Sequence, residues 1–405
     1  MTDFFAQANE LYEFSRSLRR DFHRHPELGF QEVRTAGIVA RELSALGFEV
    51  STGVGKTGVV GMLEGGASGQ AQPPRTLLLR FDMDALPITE ETGAEYASQT
   101  PGLMHACGHD AHVAIGLTVA RLLAANRAQL GGNVKFVFQP AEEGMGGAQS
   151  MIDDGVLENP RPDFALGLHV WNDRPVNWMA ITDGPIMAGA EIFKVQISGK
   201  GGHGALPNLA IDPVLAAAQV ITALQGIVSR NVSPLEAAVV SVTTVHGGEA
   251  FNVIPQAVNL SGTIRTFDPA TRQRVLDRFQ QVIQGVAEAM QCRAAIEIIP
   301  LTAAVVNNPA VSARVRQTLV QALPRVELHT NFITMGSEDM SCFMQQIPGC
   351  FIFAGSADAE RGLNFSHHHP RFDIDEAVLP RAAALMSAAA VDLLGSPSPL
   401  AGSAG

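Results

Sequence analysis

Cysteine is scarce, with Cys107, Cys292, Cys342 and Cys350 the only four among 405 residues. They are too few and too scattered for a disulfide framework. Charge is thin as well, at 17% of residues, and it leans acidic, to a formal net charge of −12. No stretch concentrates Lys and Arg, which excludes a nucleic-acid surface, since phosphate contacts need a basic stripe. A small charged substrate stays open, because a site can be locally positive on an acidic protein. No apolar stretch is read as long enough to span a bilayer. The segment from Met1 to Phe14 lacks the basic start and apolar run of a secretion signal. These absences predict a soluble, cytoplasmic chain with neither nucleic acid nor membrane as partner. Apolar residues, by contrast, make up 46% of the sequence. That suits large buried cores, and the length favours two domains.

Periodicity divides the chain. A helical pattern from Asn9 carries Phe14 and Leu18 until Pro26 breaks it, and Thr35 to Leu46 resumes it up to Gly47. Four apolar runs then read as strands buried on both faces of a parallel sheet: Thr76–Phe81, Val134–Phe138, Phe164–Leu168 and Cys350–Ala354. Each leads into polar chemistry. The first ends in Asp82-Met83-Asp84, the second in Gln139-Pro140-Ala141-Glu142-Glu143, and the third in His169. The fourth is followed by His367-His368-His369. In open α/β sheets, ligands bind outside the carboxyl ends of the strands.

Between about Ala190 and Leu301 the pattern changes. Glu191–Ser198 alternates, a helix opens at Asp212-Pro213, and strands follow at Val239–Val245 and Val258–Arg265. A helix from Pro269 to about Met290 and a strand at Ala294–Ile299 complete a β-α-β-β-α-β order, a ferredoxin-like unit with one solvated face. The expected division is therefore a discontinuous α/β domain, residues 1–188 and 303–405, with an inserted domain at 189–302. The Ser/Pro/Gly/Ala-rich tail from 396 to 405 is expected to be disordered.

The densest chemistry is Leu103-Met104-His105-Ala106-Cys107-Gly108-His109-Asp110-Ala111-His112. Thiolate and imidazole together suit borderline metals such as zinc. Cys107 and His109, two apart, face the same way only on an extended segment. This predicts a loop or strand end, with Asp110 capping a helix through Val113, Leu117 and Leu122. Glu142 and Glu143 at a strand end are expected to diverge, one towards a metal and one towards a water. Asp82 and Asp84 can orient a ligand histidine. His169 joins Cys107, His109 and Glu143 as a ligand candidate, and one of His367–His369 can complete the set. The donors suffice for two ions sharing a bridge. Such a site lowers the pKa of bound water while a free carboxylate moves its proton. In the insertion, His203 sits in a glycine-rich turn, and Asn252 and Arg265 add polar groups suited to a substrate carboxylate. His23, His25, His246 and His329 are read as structural.

With these motifs in order, the chain resembles the zinc-dependent aminoacylase and carboxypeptidase family, in its hippurate hydrolase and auxin-conjugate (N-acyl-amino-acid) amidohydrolase branch. The match runs from Phe22-His23-Arg24-His25-Pro26-Glu27 to His368-His369-Pro370-Arg371-Phe372. It includes His105–Asp110, Pro140–Glu143, Gly201–Ala205, Asn252–Pro255, Gly262–Arg265 and Gly336-Ser337-Glu338-Asp339. The resemblance implies a di-metal exopeptidase-like catalytic domain with a mostly parallel sheet flanked by helices, and an inserted lid or dimerisation domain. It implies two divalent ions (zinc, manganese, cobalt or nickel) bridged by Cys107 and completed by His109, Glu143, His169 and His368. Glu142 becomes the general acid/base and Asp84 its supporting aspartate. His203 reaches a partner subunit's site, Asn252 and Arg265 hold the substrate carboxylate, and Gly336 borders that pocket. The implied reaction is hydrolysis of an N-acyl amino acid by a homodimer or dimer-based tetramer. A dipeptidase or carboxypeptidase on the same scaffold, and a cysteine hydrolase using Cys107 and His109, are the alternatives. Phe81 and Met340 depart from the family pattern and are expected to reshape the pocket wall.

Overall fold

The computed structural model describes residues 2–67 and 73–395; the tail expected to be disordered, 396–405, lies outside them. The chain forms two compact units. The first comprises Met1–Gly184, Val306–Ile333 and Asp339–Gly405, and the second Pro185–Val305 and Thr334–Glu338.

The first unit is built on an eight-stranded sheet. Its centre is four parallel strands in the order Asn133–Gln139, Thr76–Asp82, Phe164–Pro175 and Gly349–Ala357. Every residue of Thr76–Asp82 is buried, as expected for an apolar run covered on both faces. Antiparallel strands Glu49–Val54 and Gly58–Leu63 extend one edge. Helices Tyr12–Arg24, His109–Ala125 and Val378–Gly395 pack against one another and the sheet. By length and composition Val378–Gly395 could cross a membrane, a feature the sequence reading missed. Of that apolar window, 83% is buried inside the protein, which makes it a core helix. Its Ala-rich sequence lets neighbouring backbones approach closely.

The second unit has four antiparallel strands in the order Ala238–His246, Ala257–Thr266, Gly189–Ser198 and Arg293–Thr302. Its helices, Pro213–Arg230 and Pro269–Ala289, both begin with proline behind an aspartate cap. Asp212 accepts from the amides of Val214 and Leu215, and Asp268 from that of Thr271. The Ala257–Thr266 strand alternates buried and more open residues, so one sheet face carries the helices and the other meets solvent.

Candidate metal centre

Asp82 closes the strand Thr76–Asp82, Glu142 and Glu143 follow Asn133–Gln139, and His169 lies within Phe164–Pro175; the chain between Asp82 and the next helix returns to the same place. A two-way backbone bridge between Leu86 and Met104, both bonds 3.0 Å, ties off that excursion. It delivers Cys107 beside the strand ends. Gly108 follows with φ +88°, and the helix begins at His109. Only glycine takes that backbone freely, and a Cβ there would lie 2.4 Å from Val170 Cγ2. The left-handed turn aims Cys107 and His109 into one space although one precedes the helix and the other starts it.

Two groups of ligand atoms share Cys107. Its Sγ lies with one nitrogen each of His109 and His169, and separately with Glu143 and His368, each group within 4.8 Å. The carboxylates of Glu142 and Glu143 also converge with His109 within that limit. They therefore do not diverge as expected, because the chain turns at this point instead of staying extended, with Ala141 at φ +54°. His169 Nε2 is 3.4 Å from the Cys107 sulfur, and His368 Nε2 is 3.3 Å from Glu143 Oε1. Of the three consecutive histidines, His368 alone faces Cys107 and Glu143. Its φ is +66°, and its amide is held by the Ala106 carbonyl at 2.8 Å. His367 Nε2 meets the Val170 carbonyl, and His369 Nδ1 accepts from the Arg371 amide.

The hydrogen bonds assign the tautomers. His109 Nδ1 donates to the Asp84 carbonyl at 2.9 Å, and His169 Nδ1 to the Val170 carbonyl at 2.6 Å. Both Nε2 atoms are thereby left as lone-pair donors facing the site. His109 Nε2 is buried without any hydrogen-bond partner. Charge points the same way. Burial pushes the Cys107 thiol well above its ordinary value, and the carboxylates of Glu143, Glu142 and Asp82 push further. Burial pulls the His109 imidazole down, but Asp82, Asp84 and Glu143 outweigh it and lift it to about 10. These surroundings demand positive charge. A proton on His109 Nε2 would have no acceptor, whereas a divalent cation uses that nitrogen, the thiolate and the carboxylates together. The donor set fits a metal.

The predicted residues of the second unit fall into two places. His203 and Asn252 lie together, with the Gly204 amide donating to the Asn252 carbonyl at 2.8 Å and Val253 paired to His203. They adjoin the end of the sheet where Ala257 pairs with Ser198. Arg265 is at the other end, paired with Ala190, and donates to Ser337 Oγ at 2.5 Å. Gly336 is beside it, its carbonyl accepting from the Ala188 amide at 2.9 Å. Eight strand residues at about 3.3 Å each separate the two ends by roughly 26 Å. One copy of this unit does not bring Asn252 and Arg265 to the same carboxylate.

The peptidase family M20/M25/M40 profile matches residues 78–392. The chain belongs to that family. An IAA-amino acid hydrolase of Arabidopsis thaliana is 40% identical over 96% of this chain and 88% of the relative. A thermostable carboxypeptidase of Saccharolobus solfataricus is 37% identical over 91% of this chain and 93% of its own length. Among solved structures, a dinuclear metal-binding M20 peptidase of Bacillus subtilis superposes with a TM-score of 0.83 at 33% identity. That match covers 96% of this chain and all of the other. This M20 chain is a hydrolase acting on amide bonds.

Several expectations change in this M20 chain. Asp110 does not cap the helix. It lies in the first turn, fully buried, and accepts from Arg19 Nε at 2.8 Å and His23 Nδ1 at 2.7 Å. Asp82 groups with His109 and His112 as a possible ligand set, but its oxygens are already engaged by Arg80 and by His112 Nδ1, both at 2.5 Å. His112 Nε2 in turn accepts from the Val170 amide at 3.0 Å. Asp82 and His112 thus brace the strand beside His169. Phe81 and Met340 are buried core residues. Phe81 packs on Phe136 and Phe138, and Met340 lies against Gly167. Sequence reasoning missed Arg80 and Glu32. A lone arginine inside an apolar strand did hint at a buried partner, which Asp339 supplies at 2.9 Å.

Proposed function

We propose that this hydrolase cleaves N-acyl amino acids to a carboxylic acid and a free amino acid, with Glu142 as general acid/base. Cys107, His109, His169, Glu143 and His368 would hold two divalent ions (zinc, manganese, cobalt or nickel), Cys107 being common to both groups of candidate ligands. When bound, the ions polarise the amide carbonyl and lower the pKa of a water. Glu142 takes the proton from the attacking water and returns it to the leaving nitrogen as the C–N bond breaks. Asp84 supports both partners, through the His109 ring and the Glu143 amide, which donates to its Oδ2 at 3.0 Å. The observation that carries the reading is Glu142 itself. It lies within 4.8 Å of His109 and Glu143 and outside both groups that contain Cys107, which sets a second carboxylate beside the candidate ligands, within reach of a water there.

The substrate class draws on the named activity of the Arabidopsis relative; the carboxypeptidase relative favours a C-terminal peptide bond as the second reading. The separation of His203 and Asn252 from Arg265 and Gly336 supports a homodimer in which His203 and Asn252 serve the partner subunit's site. So does the apolar surface around His203, where Leu206, Leu209, Phe251 and Val253 are all at least half exposed. A cytoplasmic location is part of this proposal. Replacing Glu142 with alanine is expected to leave folding and metal content intact while turnover of an N-acyl amino acid collapses; near-normal turnover would sink the assignment.

A further inference from the structure

We propose that Glu32 is a positioning residue for Glu142, acting through the backbone of Ala141 with Gly29 packed beneath it. The inference rests on Glu142 being the general acid/base. Ala141 holds φ +54°, a left-handed conformation that alanine avoids unless its surroundings impose it. Two neighbours impose it. The fully buried Glu32 carboxylate accepts the Ala141 amide through Oε1 at 2.9 Å, and its Oε2 accepts the Thr57 hydroxyl at 2.5 Å. Each oxygen therefore serves a different element, the loop that carries Glu142 and the hairpin turn beside it. From below, Gly29 approaches so closely that a Cβ there would stand 3.0 Å from both Cα and Cβ of Ala141.

The other side of Glu142 is held in the same way. The Glu143 amide donates to Asp84 Oδ2 at 3.0 Å, and the Ala148 amide to Asp339 Oδ2 at 2.9 Å. Three carboxylates from three parts of the chain thus fix successive points of one loop. Charge-assisted bonds of this kind are stronger than neutral ones. The loop closes on itself through the Gly147 amide and the Ala141 carbonyl, 3.1 Å apart. Glu142 stands between the clamp from Glu32 and the clamp from Asp84. Of these two, only the Glu32 clamp leaves the ligand Glu143 untouched. The segment following Pro26, which the metal chemistry does not use, forms the floor on which the proton-transferring carboxylate is aimed.

The test is steady-state kinetics of the metal-loaded enzyme carrying Glu32→Gln, Glu32→Leu or Gly29→Ala, each in the native and in the Glu142→Ala background. The Gln amide oxygen still accepts from Ala141, so Glu32→Gln is expected to stay within a few-fold of native. Misplacement by an ångström costs about 10²-fold in rate. Glu32→Leu and Gly29→Ala should therefore lower kcat on that order, with KM and metal content unchanged. In the Glu142→Ala background neither should lower the residual rate further, because the group they position is gone. The proposal is overturned if they lower that residual rate by the same factor, or if metal content falls in step with kcat. Should Glu32→Leu not fold, Gly29→Ala decides alone, since it keeps every hydrogen bond. Near-normal turnover of Glu142→Ala by itself removes both the general acid/base and this proposal, and it is recognised without any Glu32 variant.

Discussion

His23 contacts Asp110, the residue that follows the candidate ligand His109, and shows how charge is stored beside it. Its ring lies between Asp110, 2.7 Å from Nδ1, and Glu90, 3.3 Å from Nε2, with the Arg19 guanidinium alongside. Burial and Arg19 pull its pKa down, but Asp110 and Glu90 outweigh them and push it up to about 9. A group whose pKa rises on folding stabilises the fold fully below its unfolded value, here 6.5, and loses that contribution as pH climbs through about 9. The difference in unfolding midpoint between the native protein and His23→Gln should therefore be largest below pH 6.5 and shrink above pH 9. A difference that ignores pH would contradict the charged state. The sequence pointed to a structural role for His23 but could not name the partners. Asp110 is 87 positions away, and an acid after Gly108 reads equally as a cap or as a buried counter-ion. The candidate donors Cys107, His109, Glu143 and His169 were legible because thiol, imidazole and carboxylate are rare at the ends of apolar runs, whereas the choice of His368 among three consecutive histidines came through resemblance. The ordering of Glu142 and Glu143 came only through resemblance. In the structure Glu143 groups with Cys107 and His368, while Glu142 groups with His109 and Glu143.

At the scale of elements, the strands and helices followed from periodicity, because burial on one or both faces writes itself into the alternation of residues. The turns between them did not. Left-handed backbone at Ala141 and His368 is imposed by packing from distant segments, and neither residue type announces it. Gly108 is the exception, as its φ of +88° and the closeness of Val170 both require glycine. Gly108→Ala should force the turn apart and lower stability by about 1–3 kcal/mol, the usual cost of overpacking. Metal affinity should fall with it, because Cys107 and His109 flank the turn. Thermal unfolding with and without added metal measures both effects. A variant that unfolds earlier but binds metal at native affinity would show that the turn does not aim the ligands.

For the whole molecule, the decisive fact is that the second unit carries its candidate substrate contacts at opposite ends of one sheet. If His203 serves the partner subunit, then His203→Ala and Glu142→Ala chains, each inactive alone, should restore activity when mixed. A heterodimer would contain one complete site, and random pairing recovers about a quarter of native activity. No recovery after confirmed subunit exchange would place His203 in its own chain's site. The central claim, a two-metal amidohydrolase of N-acyl amino acids, is tested most directly by adding metal back to chelated enzyme while following hydrolysis of N-acyl amino acids and dipeptides. The account predicts no turnover without metal, activity that saturates at about two equivalents per chain, and preference for N-acyl amino acids. Metal-independent turnover with an acyl group trapped on Cys107 would contradict it.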